Sequence, residues 1–225
     1  MATILENVQG VKARIARAAR AAGRDPESVT LLAVSKTHPV ARIAEAQAAG
    51  LGAFGENYVQ EALRKMQLVS GVEWHLIGAL QSNKSRLAAE RFDWVQTVDR
   101  VRIANRLSEQ RPAHLPPLNV LIEVNISGEA AKSGVAVKEV TELGAAIARL
   151  PRLRLRGLMA IPAPGAAGDF VKMRRLYDEL RARFGFDTLS MGMSDDMEHA
   201  IAAGATMVRI GTAIFGARRT EESPA

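Results

Sequence analysis

Short apolar runs alternate with amphipathic segments along this chain, and that alternation constrains the fold more than any other feature of the sequence. Apolar runs of strand length without a polar face are typical of a parallel sheet that helices cover on both sides. The predicted strands are 30–36, 53–57, 74–78, 94–98, 120–126, 155–161, 188–191 and 207–210. The predicted helices are a leading one over about residues 2–22 and, between the strands, 40–49, 58–69, 83–91, 100–110, 137–149, 170–184 and 196–203.

Eight strand–helix units in 225 residues predict an α/β protein that forms a single (β/α)8 TIM barrel. The main alternative is a doubly wound open sheet, which would carry a glycine-rich dinucleotide turn after its first strand. The first strand is followed instead by Ser35-Lys36-Thr37-His38-Pro39, which is nothing like such a turn. We therefore expect one barrel domain over residues 1–225, with an added N-terminal helix and a disordered tail at 220–225.

The composition excludes several classes of function. The net charge of +6 raises the possibility of nucleic-acid binding, but basic residues are scattered among acidic ones and aromatic residues make up only 4% of the chain. We interpret the charge as a solvated basic surface that would help to attract phosphorylated small molecules. The absence of cysteine excludes disulfides, thiol chemistry and cysteine-bound metal. With no secretory signal and no apolar stretch of membrane-spanning length, we expect a cytoplasmic protein.

Lys36 closes the first apolar run and is followed at once by Thr37-His38-Pro39. Side chains alternate along a strand, so Leu32, Val34 and Lys36 share one face, and Lys36 would lie at the mouth of the core. A lysine that loses water there becomes an amine able to condense with a carbonyl group. On this strand alone, a lysine that extends into water is the simpler interpretation, because buried lysines are rare.

The ends of the other strands add further candidates, because the carboxyl ends of barrel strands converge on one face. These candidates are Asn57, His75, Glu123, Asn125, Met159, Ile161 and Arg209, with Lys84 and Lys132 in nearby loops. Arg209 is the most unusual of them, since apolar residues flank it within the eighth strand. A buried guanidinium needs an acceptor or an acidic partner, and without other evidence a structural ion pair with Glu123 or an aspartate is the simpler interpretation.

The loops after the seventh and eighth strands contain glycines, hydroxyl groups and helix starts, which form the usual phosphate site of such barrels. The candidates in these loops are Ser194, Gly211 and Thr212. Asp195 and Glu198 have the spacing of a capping box for the helix that follows. Because Asp195 and Asp196 would repel a phosphate, we expect both to turn outward.

Seven segments of the chain match the motifs of a known family. They are AVSKTHP, FGENYVQE, EWHLIG, LQSNKSRL, KSG, GLMAIPAP and MGMSDDMEHAIAAGATMVRIGTAIFGAR. Together they resemble the YggS/PROSC family of pyridoxal phosphate homeostasis proteins over about residues 4–218, and the last segment is long and highly specific. The departures, such as Ala79 where relatives often carry proline and the stretch 165–169, fall in loops.

The resemblance implies a barrel like the N-terminal domain of alanine racemase, with pyridoxal 5′-phosphate (PLP) attached to Lys36. It also implies that Asn57 lies beside the cofactor ring and that Arg209 faces the pyridine nitrogen. The residues implied for the phosphate are Ser194, Gly211 and Thr212. His75 and Met159 complete the cofactor-binding residues that we expect, and we predict no metal ligand and no catalytic residue.

The residues favour binding of PLP over turnover. A permanently charged Arg209 would disfavour protonation of the pyridine nitrogen and so weaken the ring as an electron acceptor. Related racemases add a tyrosine base from a further domain, for which we expect no room because the chain ends soon after Arg209. We therefore predict a monomeric PLP-binding protein that buffers PLP or delivers it to apo-enzymes, and that binds neither nucleic acid nor membranes. The alternative is a small PLP-dependent amino-acid racemase.

Overall fold

The computed structural model describes residues 2–129, 132–163 and 165–217, and the tail predicted to be disordered at 220–225 lies outside them. The strands are β1 Thr30–Val34, β2 Ala53–Glu56, β3 Glu73–Leu76, β4 Trp94–Val98, β5 Leu118–Glu123, β6 Leu153–Met159, β7 Thr188–Ser190 and β8 Met207–Ile210. They form one closed barrel in chain order, with every neighbouring pair parallel and β8 paired to β1. The predicted (β/α)8 barrel is confirmed.

Helices follow the strands around the outside of the barrel. They are α1 Ile4–Ala21, α2 Val40–Ala48, α3 Val59–Met66, α4 Ser85–Arg91, α5 Val101–Gln110, α6 Val140–Ile147, α7 Ala167–Phe184, α8 Met197–Ala202 and α9 Thr212–Phe215. Short 3-10 turns lie at Pro26–Ser28, Ser82–Lys84 and Val137–Glu139. Within the three described ranges, we find no helix with both the length and the apolar character needed to cross a membrane.

Only β4 and β8 have their predicted bounds, and the largest differences occur at β5 and β6, because burial and strand pairing do not coincide. β5 ends at Glu123, although Val124 and Ile126 remain buried in the following loop and extend the apolar pattern. β6 begins at Leu153, two residues before its predicted start, and includes Arg154 and Arg156. The charge of Arg156 is accommodated inside the strand, because its guanidinium lies 4.7 Å above the Trp94 ring and pairs with Asp187 at 2.7 Å.

The apolar core is divided into two unequal parts by the sheet. The larger part lies between the strands and the surrounding helices, as in any covered parallel sheet. Inside the barrel a small apolar cluster consists of Trp94, Leu121 and Met159. The other buried side chains of the strands include the polar residues His75, Gln96, Ser190 and Arg209. The interior of this barrel is therefore partly polar, and the outer layer supplies most of the apolar packing.

The leading helix α1 completes the helical layer beside β8, where α9 is only four residues long. α1 contacts α2, α8 and α9. Its buried face is formed by Ile4, Val8, Val11, Ile15 and Ala19, a spacing typical of one side of a helix. The Asn7 side chain donates to the Ile214 carbonyl at 2.9 Å, and Arg14 donates to the Ser194 carbonyl at 3.1 Å. α1 thus fixes the loops that follow β7 and β8.

Gly157 provides a test of the packing between β6 and β7. Its φ is +153°, and a Cβ built on it would lie 1.8 Å from the Thr188 carbonyl oxygen. Gly157→Ala should therefore lower the free energy of unfolding by about 3 kcal/mol, at the upper end of the usual range for an overpacked core. Denaturant unfolding of the purified variant measures this loss.

Gly10→Ala is the matched control. Gly10 lies within α1 at an exposed position where an added Cβ meets no atom within 4 Å. Alanine should raise stability there by roughly 0.5–1 kcal/mol, because it is the better helix former. Wild-type stability in Gly157→Ala would contradict the close approach of the two strands.

Candidate functional site

Lys36 lies in the turn between β1 and α2, at the carboxyl end of the barrel. Strand pairing extends one residue beyond β1, because the Ser35 amide donates to the Gly55 carbonyl at 3.0 Å. The chain then turns at Lys36 and Thr37, and Thr37 has a left-handed φ of 66°. Such a conformation is strained in a non-glycine residue, by about 1 kcal/mol or more, and occurs where the surroundings determine it. Lys36 itself is half-buried.

Arg209 points into the barrel interior and is only 4% exposed. Its Nη1 donates to Ser190 Oγ at 2.9 Å, and its Nη2 donates to the Ala160 carbonyl at 3.0 Å. Burial lowers the pKa of Arg209 to about 10, with Glu123 opposing the change, so the guanidinium remains charged at neutral pH. In the described part of the chain no carboxylate lies within 4.0 Å of it, so the ion pair that the strand alone suggested is not formed.

A chain of hydrogen bonds runs from Arg209 across the interior to His75. Ser190 Oγ accepts from Arg209 and donates to Gln96 Oε1 at 2.7 Å, and Gln96 Nε2 lies 3.0 Å from His75 Nδ1. Because an amide nitrogen only donates, His75 Nδ1 accepts, and the proton of the neutral ring is on Nε2. Burial lowers the pKa of His75 to about 3, so the ring is neutral at physiological pH. Its Nε2 is buried without a hydrogen-bond partner.

Two of the predicted cofactor residues, His75 and Met159, are almost completely buried inside the barrel. The His75 ring stacks on Trp94 with the two centroids 5.1 Å apart. Met159 packs with Trp94 and Leu121. In this arrangement both residues contact other barrel side chains, and their contact with a ligand stays a prediction.

The loops after β7 and β8 come together, as the phosphate-site hypothesis requires. Ser194 Oγ accepts a hydrogen bond from the Ala213 amide at 3.4 Å, which places Ser194 beside the start of α9. Gly211 precedes that helix, and Thr212 is its first residue. A Cβ added to Gly211 would lie 3.3 Å from the Val34 carbonyl oxygen, so the loop approaches β1 closely. The three predicted residues Ser194, Gly211 and Thr212 therefore form one local cradle at the carboxyl end of the barrel.

The predicted capping box at Asp195 and Glu198 is wrong. α8 begins at Met197, and neither residue caps it. The Glu198 carboxylate instead pairs with Arg14 of α1 at 2.8 Å, while Asp195 is exposed. Asp196 is half-buried and accepts from the Met193 amide at 2.5 Å. Its negative charge also opposes the lowering of the Arg209 pKa by burial. The Glu198 carboxylate therefore forms a tertiary ion pair with Arg14 instead of the local capping bond that its spacing predicted.

Asn57 follows β2 and lines a cavity of about 350 Å³ between the loops after β2 and β3. The cavity is also lined by Tyr58, Gly78 and Lys84. A Cβ added to Gly78 would lie 2.2 Å from the Asn57 carbonyl oxygen, so glycine allows these loops to pack together. Neither Lys36 nor Arg209 lines this cavity, and contact between Asn57 and a ligand stays a prediction.

Glu123 at the end of β5 is a buried carboxyl group that faces the same end of the barrel. Burial, together with the charge of Asp99, raises its pKa to about 7, while Arg209 opposes the change. The sequence indicated Glu123 as a polar group at the end of the fifth strand and as an ion-pair partner for Arg209. Its burial depends on the barrel walls around it, which no local sequence pattern predicts.

Comparison with known proteins identifies relatives over nearly the whole chain. Residues 7–219 match the family model described as the alanine racemase N-terminal domain. The chain is 58% identical over 231 residues to the pyridoxal phosphate homeostasis protein of Escherichia coli strain K12, a match that covers 97% of this chain and 98% of that protein. It is 59% identical over 225 residues to the Pseudomonas aeruginosa strain PAO1 protein of the same name, with 97% of each chain covered.

Solved structures share the barrel fold. PipY of Synechococcus elongatus, determined with PLP bound, matches with a TM-score of 0.81 and 34% identity, over 95% of this chain and 100% of PipY. The alanine racemase of Corynebacterium glutamicum matches with a TM-score of 0.72 and 18% identity, over 96% of this chain and 62% of the racemase. The second likeness concerns the fold alone.

Glu123 generates a pH-dependent prediction. Its pKa is about 7 in the folded protein and 4.5 ordinarily, so the folded state binds this proton more tightly than the unfolded chain. Through this group the wild type should lose stability as the pH rises from about 4.5 to 7. Glu123→Gln should remove that loss and gain up to about 3 kcal/mol relative to the wild type at pH 8. Denaturant unfolding of both proteins near pH 5 and pH 8 measures the effect.

The comparison of the two proteins isolates Glu123, because the buried neutral His75 contributes equally to both. His75 acts in the opposite sense, since its pKa is lowered in the folded state and its contribution to stability is lost as the pH falls below about 6.5. A stability difference that does not change between pH 5 and pH 8 would contradict the burial of the Glu123 carboxyl group.

Proposed function

The chain belongs to the family of pyridoxal phosphate homeostasis proteins, and from this membership we propose that it binds PLP at the carboxyl end of its barrel and serves PLP homeostasis as a carrier or regulator. The observation that carries the proposal is the placement of an amine, a buried cation and a loop cradle at one end of one barrel. These are Lys36, Arg209 and the loops that contain Ser194, Gly211 and Thr212.

The donor groups at this end of the barrel fit PLP. When bound, PLP supplies an aldehyde that condenses with a primary amine and a pyridine ring that accepts electrons. Lys36 is the amine that would hold the aldehyde. The Ser194 hydroxyl, with Gly211 and Thr212 at the start of α9, would hold the phosphate. Asn57 would lie beside the ring, where the half-buried amide can hydrogen-bond.

Arg209 favours retention of PLP over turnover. The family resemblance implies that it faces the pyridine nitrogen, and its hydrogen bonds to Ser190 and Ala160 hold the guanidinium in place. A cation held beside a basic nitrogen disfavours protonation of that nitrogen. A neutral pyridine withdraws electrons less strongly, which weakens the chemistry on which amino-acid turnover depends.

The alternative function, a small PLP-dependent amino-acid racemase, needs a second acid or base across the substrate. The chain contains two tyrosines. Tyr177 is buried in α7 against Phe186, on the outside of the barrel. Tyr58 is 63% exposed and lies on the edge of the Asn57 cavity. Neither placement supports proton transfer to a substrate held at Lys36.

Partners and location follow from the same proposal. All the residues proposed to bind PLP belong to one barrel, and we propose a monomer as the binding unit. PLP that is held through a lysine is released when another amine competes for it, so transfer to apo-enzymes needs no further catalytic group. We propose the cytoplasm as the location, since the sequence has no cysteine and the proposed ligand, PLP, is a metabolic cofactor.

Covalent attachment of PLP to Lys36 is the central test. The purified protein should develop a visible absorption band with PLP, and borohydride reduction followed by peptide mass mapping should place the pyridoxyl group on Lys36. Lys36→Ala should lose the band and keep the thermal unfolding midpoint of the wild type, because Lys36 lies in a turn outside the core. A pyridoxyl group found chiefly on Lys84 or Lys132 would overturn the assignment.

Turnover separates the proposed function from the racemase alternative. With PLP and a panel of L- and D-amino acids, we expect no racemisation or decarboxylation near the ~10 s⁻¹ that is typical of enzymes. Chiral chromatography of the amino acids after incubation measures this rate. Activity of that size which disappears in Lys36→Ala would establish the alternative instead.

A further inference from the structure

Three charged side chains form a buried cluster next to the Lys36 turn. Glu56 is the last residue of β2, and Glu61 and Lys65 lie one turn apart on α3. Lys65 is only 5% exposed, and its ammonium group donates to Glu56 Oε1, Glu61 Oε1 and the Ser35 carbonyl, each at 2.7 Å. An ammonium group has three protons, so these bonds satisfy Lys65 completely.

The cluster holds the backbone on both sides of Lys36. Before it, the Ser35 carbonyl accepts from Lys65, and the Ser35 hydroxyl donates to Glu56 Oε1 at 2.5 Å. After it, the Thr37 amide donates to Glu61 Oε1 at 2.5 Å. Lys36 is therefore flanked by two residues whose main-chain polar groups are bound by side chains of the same cluster.

The bond from Thr37 to Glu61 has a conformational role. Among the residues that the structure describes, Thr37 is the one non-glycine residue with a positive φ. A left-handed conformation at such a residue persists where the surrounding structure determines it. Glu61 supplies that constraint, because its carboxylate accepts from the Thr37 amide only while the turn keeps this geometry.

The packing of α3 against the barrel does not require the charges of Glu56, Glu61 and Lys65. A buried ion pair is often no more stable than apolar residues of similar volume, and removing one member leaves an uncompensated charge. Burial raises the pKa of Glu56, with Lys65 opposing the change, and Glu56 Oε2 is buried without a partner. The feature that distinguishes this cluster from an ordinary ion pair is its contact with the backbone around Lys36.

We propose that Glu61 and Lys65 are positioning residues for Lys36, which hold the turn so that its amine meets the aldehyde of PLP in a productive orientation. This inference rests on the proposed function. Both residues act through the backbone of Ser35 and Thr37 and do not themselves bind the cofactor. Their loss should therefore impair covalent attachment far more than binding of the phosphate and the ring.

Two ligands separate these steps in the full-length protein. PLP reports attachment through its visible absorption band, and the rate constant is measured at saturating PLP by stopped flow. Pyridoxine 5′-phosphate carries an alcohol in place of the aldehyde, so its dissociation constant reports the phosphate and ring contacts alone. Glu61→Ala should slow attachment by roughly tenfold to a hundredfold, since small errors of orientation have effects of this size. Its affinity for pyridoxine 5′-phosphate should stay within about twofold of the wild type.

Glu61→Gln provides the conservative rescue. One oxygen of Glu61 accepts from both Thr37 and Lys65, and the amide oxygen of glutamine can accept the same two bonds. Attachment in this variant should return to within about threefold of the wild type. Asp178→Ala is the matched control, because Asp178 belongs to an ion pair of the same i,i+4 spacing on α7, and it should change neither measurement.

Thr37→Pro breaks the same constraint from the other side and leaves the buried cluster intact. Proline has no amide proton and cannot adopt a φ of 66°, so the turn loses both its bond to Glu61 and its left-handed residue. Because Thr37 is exposed, the rest of the fold should tolerate the change. This variant should slow attachment as Glu61→Ala does.

Three results would overturn the inference. Wild-type attachment rates in both Glu61→Ala and Thr37→Pro would show that the turn needs no such constraint. A parallel loss of attachment and of pyridoxine 5′-phosphate affinity, without rescue in Glu61→Gln, would show a general structural role. Absence of any attachment in the wild type would refute the proposed function itself, and with it the premise of the inference.

Discussion

Arg209 can be buried inside the barrel only because Ser190 and Ala160 accept hydrogen bonds from its guanidinium. Removing such a cation from water without acceptors would be prohibitive, so the polar interior is a condition for its presence. Ser190 in turn requires Gln96, and Gln96 determines which nitrogen of His75 carries the proton. The apolar packing between the sheet and the helices supplies the stability that allows the interior to be polar.

Each part of the candidate site is held by a different element of the fold. The guanidinium of Arg209 is oriented by Ser190 of β7 and by the carbonyl of Ala160, which follows β6. The loops after β7 and β8 are held by Asn7 and Arg14 of α1. The Lys36 turn is bound by side chains of β2 and α3. A site built in this way keeps its geometry when no ligand is bound, because none of these contacts requires one.

The sequence predicted the strands well because parallel strands buried on both faces leave continuous apolar runs. Arg209 was recognisable because apolar residues flank it. Glu61 and Lys65 were not, since their spacing is that of an ordinary surface pair, and they are drawn together with Glu56 only by the placement of α3 against the Lys36 turn. Gln96 and Ser190 were missed for a similar reason, because their link to Arg209 depends on which strands face each other across the barrel.

The contact between Asn7 and Ile214 also has a consequence for the order of folding. These residues are 207 positions apart, so the bond that ties α9 to α1 closes a loop of nearly the whole chain. Closing long loops is entropically unfavourable and is delayed until shorter-range contacts have formed. During synthesis α1 emerges before α8 and α9, and the part of its apolar face that contacts them stays uncovered until they are made. The loops that contain Ser194, Gly211 and Thr212 are therefore among the last parts of the molecule to become structured. If these loops hold the phosphate as proposed, a nascent chain would bind PLP only after the barrel has closed.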